Sequence, residues 1–375
     1  MTQPLALLDQ SFDQLQNLFE SWGEPPYRAR QVWSRLYQRL AASFDEMTEL
    51  PKSLRERLAR ETVIGALAPR MEQRSSDGQT RKILFALPDG AQIESVLMGY
   101  ERRRTACIST QAGCAMGCLF CATGQGGLQR NLTSGEIVAQ VLYFAREMKS
   151  EIGGWKSEVG SRKSDLRPPT SDLRPLTSDL TNIVLMGMGE PFANYDQVMA
   201  AVRRLNDPTG FNFGARRMTV STVGLVPGIK KLAQEDIQVN LAVSLHAATD
   251  DLRDRLAPVN KRYPLSVLLP AVREYIERTH RRVSFEWALI EGVNDTPEQA
   301  RALARRVRGM LCHVNLIPLN PTSGYPGAAS TRQRIAEFRA VLESANIPNT
   351  LRLRRGIDIQ AGCGQLRQKA VVGNQ

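Results

Sequence analysis

Cysteine is scarce in this chain: there are six in 375 residues, and four of them crowd between Cys107 and Cys121. That scarcity excludes a disulfide framework and points to a reducing, cytoplasmic setting. Long apolar runs are missing as well. No stretch of ~18 consecutive apolar residues occurs, and Met1 to Glu24 carries acids without a charged-then-apolar leader, so neither a membrane span nor a membrane partner is expected. Histidine is limited to three residues, of which His280 and His313 lie near no motif. Acids are in deficit, 38 against 49 lysines and arginines, for a formal charge of +11. Such an excess suits a polyanionic partner, because neutralised phosphates release counterions. The remainder is ordinary: with 42% hydrophobic residues the chain can bury a sizeable core and hold two or three domains.

The stretch from Gly113 to Cys121 sets Cys114, Cys118 and Cys121 at C-x-x-x-C-x-x-C spacing before a Gly-rich turn. Three thiolates so close can wrap one small inorganic body, and a four-iron iron–sulfur cube held by them keeps one iron without a protein ligand. A structural zinc site is the alternative. It wants four closed ligands, commonly as paired C-x-x-C units. A second pair is missing, although Cys107, seven residues upstream, can complete a set of four. A zinc-stabilised RNA-binding module follows from that second reading.

Taken in order, Ser11 with Gln14 makes a capping-box start, and Leu15, Leu18, Phe19 and Trp22 recur at helical spacing. After the Gly23-Glu24-Pro25-Pro26 turn, Ala29, Val32, Trp33, Leu36, Tyr37 and Leu40 share one helical face and Arg28, Arg35 and Arg39 another. A third helix is predicted over 53–61. Residues 1–66 therefore read as a helical accessory domain, basic in its second and third helices, that either docks on the next domain or offers an RNA contact. From about residue 70 the period changes to two: Asp77-Gly78 and Asp89-Gly90 bracket a strand over 82–87, and 93–98 is another. Residues 67–104 thus read as a β-hairpin extension packed on the larger domain C-terminal to it. Glu94 lies in it, where a glutamate is ordinarily solvated. Strands near 105–110, 182–186, 218–222, 239–244, 282–290 and 312–317 alternate with helical patterns, which argues a parallel sheet with right-handed crossovers. Residues 151–180 break the rhythm. The run from Ser164 to Thr170 nearly repeats from Ser171 and starts again at Ser178, as in a flexible polar insertion with no catalytic role.

The cysteine spacing, with Phe120 before the third cysteine, resembles the radical S-adenosylmethionine (SAM) superfamily. The run from Ala106 to Cys114 is similar to the RNA adenine-C2 methyltransferases within it, the RlmN type of the RlmN/Cfr family. Met186-Gly187-Met188-Gly189-Glu190-Pro191, Ser244-Leu245-His246-Ala247 and Ala361-Gly362-Cys363-Gly364-Gln365-Leu366 agree with that family, in its order. The resemblance implies an α/β fold: a partial (β/α)6 barrel over 105–348, preceded by a helix-hairpin-helix-like domain and followed by a C-terminal segment, 349–375, bearing a reactive cysteine. Chemistry in such barrels gathers at the C-terminal ends of strands. The motifs obey: the cysteine loop follows the first strand, Gly187–Glu190 the second, Ser221 ends the third, His246 follows the fourth and Asn320 the sixth.

The same resemblance implies one 4Fe–4S cluster on Cys114, Cys118 and Cys121. It implies two SAM molecules per turnover, held by Gly189, Glu190, Ser221, Ser244, Leu245, His246 and Asn320. For His246 a packed strand-end histidine is the alternative. Cys363 would take a methyl group from one SAM, and a 5′-deoxyadenosyl radical from the second would activate that methyl for addition to carbon 2 of adenosine. Glu94 would accept the proton lost there. Cys107 would free the product by attacking the sulfur of Cys363, leaving a transient Cys107–Cys363 disulfide for reductants to reopen. Cys312 matches nothing and reads as a buried strand residue. Implied partners are 23S rRNA, tRNA, a flavodoxin-like one-electron reductant and a thiol reductant, with the enzyme a monomer. The rival within the class is methylation at carbon 8, the Cfr-like reaction linked to antibiotic resistance. A radical methylthiotransferase would need more upstream cysteines than Cys107.

Overall fold

Short apolar strands alternating with amphipathic helices bury their faces only by stacking into layers, and this chain does so around one long sheet. The computed structural model describes residues 4–65, 67–101, 103–159 and 180–367. A short strand β1 (Leu5–Ala6) opens the chain, followed by α1 (Phe12–Ser21), α2 (Pro26–Tyr37) and α3 (Lys52–Glu61), before β2 (Thr62–Val63) returns to pair with β1. Helix α1 starts at the expected cap. The Ser11 hydroxyl accepts from Gln14 N at 3.2 Å, and the Gln14 side chain accepts from Ser11 N at 2.8 Å, satisfying two otherwise orphaned donors. Arg204 fastens this helical module to the rest by donating to the carbonyls of Leu8 and Asp9.

Strands β3 (Ala68–Arg74), β4 (Thr80–Ala86) and β5 (Gln92–Tyr100) form an antiparallel meander with a register shift between Pro69 and Met71. β5 pairs antiparallel with β6 (Arg103–Cys107), so the meander continues the barrel sheet edge to edge. A ribbon of β7 (Gln111–Gly113) and β8 (Leu128–Asn131) encloses the cysteine loop and α4 (Ala122–Gln125). After α5 (Ser134–Val159) come β9 (Asn182–Leu185), α6 (Tyr195–Asn206), β10 (Met218–Thr222), α7 (Val226–Leu232) and β11 (Asn240–Ser244). The chain continues through α8 (Asp250–Leu256), α9 (Leu265–Thr279), β12 (Val283–Leu289), α10 (Pro297–Val307), β13 (Cys312–Pro318), α11 (Arg332–Ser344) and β14 (Asn349–Leu351).

Among the described residues the sheet runs β14-β13-β12-β11-β10-β9-β6-β5-β4-β3. Its parallel strands β6 and β9 to β13 are the partial (β/α)6 barrel. The expected strand positions hold to within a residue or two, except the first: pairing ends at Cys107 instead of running to residue 110. Beyond it the backbone leaves the ladder to meet the loop after β9, with Thr110 N donating to Met188 O at 2.8 Å. Helical backbone in α5 continues into the start of the stretch read as irregular. The repeats beginning at Ser164 lie outside the described residues. Among the described residues no helix is long and apolar enough to cross a membrane.

Trp287 of β12 is fully buried, packs against Phe338 with ring centroids 5.6 Å apart and donates its indole N–H to Asn294 O at 3.3 Å. Trp287→Ala is expected to cost about 3–5 kcal/mol, read as a lowered urea midpoint.

Candidate active site

Central strands of a barrel are normally apolar throughout, and here one level is not. Register sets Ser244, Glu286, Asn315 and Thr350 side by side across β11 to β14. Ser221 shares their face, since it pairs with Ala242, which precedes Ser244 by one strand period. Asn315 Nδ2 donates to Glu286 Oε1 at 2.7 Å. Burial pushes the Glu286 carboxyl up, opposed by Arg352 and by that hydrogen bond.

The loop after β9 reaches this layer because it is built from glycine. A Cβ on Gly187 would lie 2.7 Å from Ile108 O, and one on Gly189, whose φ is +101°, 2.6 Å from Gln111 Cβ. Neither position admits a side chain. The close approach lets Gln111 Oε1 accept from Glu190 N at 2.7 Å. The buried Glu190 carboxylate accepts from Phe192 N at 3.1 Å and Val223 N at 2.8 Å. Burial nevertheless dominates and raises its pKa to about 7. A ligand amine would therefore share a carboxylate that already serves two backbone donors.

His246 has φ +59° and is buried. Its Nδ1 accepts from Ala288 N at 3.0 Å, which leaves the ring proton on Nε2. Phe120 meets it in a T-shaped contact at 4.9 Å. Burial, and then Arg253, hold its pKa down at about 3, so the ring is neutral. His246 is packed and hydrogen-bonded at the strand end, as the packed-histidine reading expects, and through Phe120 it lies against the cysteine loop. Leu245 is wholly buried, with its N–H on Glu286 O at 3.0 Å, and so offers a bound molecule backbone and apolar surface only.

Arg253 holds these strand ends together. Wholly buried, it donates to the carbonyls of Val223 and Ser244, to Leu245 O at 3.1 Å and to Asn260 Oδ1 at 2.9 Å. A rigid guanidinium fork suits several carbonyls at once as an ammonium cannot. Burial lowers its pKa to about 10.

The cysteine loop is braced at both ends. Cys114 N donates to Gly127 O at 2.8 Å, Leu119 N to Leu256 O at 3.0 Å and Cys121 N to Cys118 O at 3.1 Å. The segment carrying Cys363 is bonded onto it: Ala122 N donates to Gly364 O at 2.8 Å and the Thr123 hydroxyl to Leu366 O. Asn320 Nδ2 donates to Cys363 O at 3.1 Å. The Cys363 thiol is open to solvent yet deeply surrounded by protein; that surrounding and Glu286 raise its pKa while Arg352 lowers it. Cys107 is buried at the end of β6, its thiol raised first by burial and then by Cys363. Cys363 is thus the cysteine whose charge acts on Cys107, and none of the loop's cysteines does. Cys312 is buried in its strand. All six cysteines are free thiols.

Glu94 departs from the solvated expectation. It is 1% exposed, with Oε1 3.1 Å from Lys82 Nζ and Oε2 accepting from Arg367 N at 3.0 Å. Sequence reasoning missed Lys82, Arg253, Glu286 and Asn315. Glu286 and Asn315 carried a signal, polar residues inside otherwise apolar strands; Lys82 and Arg253 did not stand out among 49 basic residues.

The donor set fits an iron–sulfur cube. Burial lifts Cys114 to about 12 and raises Cys118 as well, and the neighbouring sulfurs raise both further. Those two thiols become anionic only against bound positive charge. Among the described residues no three His, Cys, Asp or Glu side chains gather tightly enough to hold a single metal ion, whereas the sulfurs on a cube grip separate irons. Nearby, Asn320 Oδ1 is buried without a hydrogen-bond partner, an acceptor that a cosubstrate can satisfy.

Glu190 also gives a stability signature. Its folded pKa of about 7 exceeds the ordinary 4.5. Its contribution is therefore full below the unfolded value and is lost as pH rises through the folded one. Denaturation of the metal-free protein is expected to show lower stability at about pH 8 than at about pH 5 from this group, and Glu190→Gln is expected to flatten that slope.

Comparison with known proteins agrees with this geometry. Residues 5–64 match the family model described as the ribosomal RNA large subunit methyltransferase N-terminal domain. The chain is 51% identical to the probable dual-specificity RNA methyltransferase RlmN of Roseiflexus castenholzii, over 96% of this chain and 95% of that one. It is also 51% identical to the protein of the same description from Chloroflexus aurantiacus, over 96% and 92%. The crystal structure of a radical SAM methyltransferase from Sphaerobacter thermophilus superposes with a TM-score of 0.87 at 50% identity, covering 97% of this chain and 99% of that one. A glycine-built strand-end cradle, a braced three-cysteine loop and likeness along nearly the whole length agree, and the chain belongs to the RlmN family of radical SAM RNA methyltransferases.

Proposed function

We propose that the chain methylates carbon 2 of adenosine in 23S rRNA and in tRNA, with Cys363 as the methyl carrier. The observation that carries this reading is the seating of Cys363. Its segment is bonded to the cysteine loop through Gly364 and Leu366, and its thiol lies within electrostatic reach of Cys107. When bound, a 4Fe–4S cluster on Cys114, Cys118 and Cys121, together with SAM, supplies the electron, the methyl group and the radical chemistry.

The remaining work falls to side chains. Gly187 and Gly189 give the room for close approach, and Glu190, Ser221, Ser244, Leu245, His246 and Asn320 are the groups we assign to holding SAM. Cys363 loses its thiol proton as it gains the methyl, and its raised pKa keeps it a thiol until then. Once that carbon is joined to adenosine, Glu94 accepts the carbon-2 proton. Cys107 then loses its thiol proton and attacks the Cys363 sulfur: a sulfur–sulfur bond forms as the carbon–sulfur bond breaks, and the freed carbon keeps the bonding pair and takes up a proton to become the methyl group. The helical module of residues 1–66 supplies an RNA contact; it carries eight lysines and arginines against nine acids, so the chain's positive excess lies outside it. A flavodoxin-like electron donor and a thiol reductant complete the cycle, in the cytoplasm, on a monomer.

Mass mapping of 23S rRNA and tRNA from cells with and without the protein tests the reading: a methyl at carbon 2 is expected, and a methyl at carbon 8 alone overturns it. Cys363→Ala is expected to fold and bind cluster and SAM while leaving RNA unmodified. Cys107→Ala is expected to accumulate a covalent protein–RNA adduct, seen as a shifted band on denaturing gels.

A further inference from the structure

Glu94 and Lys82 lie on neighbouring strands, β5 and β4, with side chains 1% and 4% exposed. Burying two charges is costly unless each is closely matched, so their retention in this place calls for a reason. The pair has a second set of contacts. Lys82 Nζ, 3.1 Å from Glu94 Oε1, also donates to Gln360 O at 3.2 Å, and Glu94 Oε2 accepts from Arg367 N at 3.0 Å. Gln360 and Arg367 flank Cys363 on either side. The ion pair therefore grips both ends of the segment that carries Cys363. Ser109 Oγ fixes the backbone of Glu94 by donating to its carbonyl at 2.6 Å.

We propose that Lys82 is a positioning residue that holds the Glu94 carboxyl group in place and that, through it, latches the Cys363 segment until Glu94 takes up the proton from carbon 2. In that step the carbon-2–hydrogen bond breaks, its electron pair stays in the adenine ring, and the proton goes to a Glu94 oxygen, turning the carboxylate into a neutral acid. The hydrogen bond from Arg367 N and the attraction of Lys82 both weaken, because bonds to a charged acceptor are about twice as strong as bonds to a neutral one. The segment then loosens at both flanks of Cys363, when its sulfur must turn toward Cys107. Proton removal and product release are thereby ordered by one carboxylate. This rests on the proton-accepting role proposed above for Glu94, but the latch itself is read without RNA, cluster or SAM.

The test is amide hydrogen exchange at Arg367 and the rate of Cys363 alkylation by iodoacetamide in the metal-free full chain. Glu94→Gln, which imitates the protonated acid, and Lys82→Met are each expected to speed both by about tenfold or more, the change for losing a hydrogen bond to a charged group, with Lys82→Arg restoring the slow rates. Arg367→Pro, which deletes the N–H donor together with the side-chain bond to Ser323 Oγ, is expected to speed alkylation more than Arg367→Ala, which deletes only the latter, and keeps the test usable if a buried-pair variant does not fold. In turnover, Lys82→Met is expected to accumulate the RNA adduct. Unchanged exchange and alkylation in the folded variants overturn the latch. Accelerated exchange with no adduct in any variant supports the latch and refutes instead the role given to Glu94.

Discussion

The site depends on the docking of an irregular stretch of backbone, residues 356–367, across the open end of the barrel. It has neither helix nor strand to hold it. Its order comes from single bonds made to separate elements: Ala122 and Thr123 beside the cysteine loop, Asn320 after the sixth barrel strand, and Lys82 and Glu94 in the antiparallel extension. Each is an ordinary hydrogen bond or ion pair. A segment tethered this way is fixed while every contact persists and can change position once one or two are lost, which suits a side chain required at two places. The barrel supplies the rigid frame, and this segment is the part proposed to move.

The frame has its own organising group in Arg253. Barrel strands deliver their C-terminal ends to one rim, but the turns leaving them carry carbonyls that no ladder satisfies. One buried guanidinium takes up those of Val223, Ser244 and Leu245. The loops that bear the residues assigned to SAM are thus fixed to one another beneath the surface they present. Gly187 and Gly189 act in the same sense from the other side, by letting the loop after β9 touch the backbone leaving β6.

Much of this was legible in the sequence because it rests on local patterns. The alternation of apolar strands and amphipathic helices gave the barrel, and the Ser11–Gln14 cap gave the first helix, since both are set by neighbours in the chain. The cysteine spacing and the glycines before Glu190 likewise show a local requirement. What was not legible depends on contacts between distant residues. Glu94 reads as a surface glutamate until Lys82 from the next strand and Arg367 from the far end of the chain close over it. Arg253 reads as one more charge on a helix until the fold buries it. Strand β6 ends early because Ile108 and Thr110 bond to the loop after β9, a partner that no window around them contains.

An open barrel leaves its sheet with terminal strands, and β3 is one of them. An edge of this kind invites other chains to add on and is a common start of aggregation. Pro69 withholds a donor, the irregularity beside it bends the strand out of register, and Arg70, Glu72 and Arg74 crowd the margin with charge. The protein can thus keep its sheet unclosed, and its mouth accessible to a large polyanion, without self-association along that border.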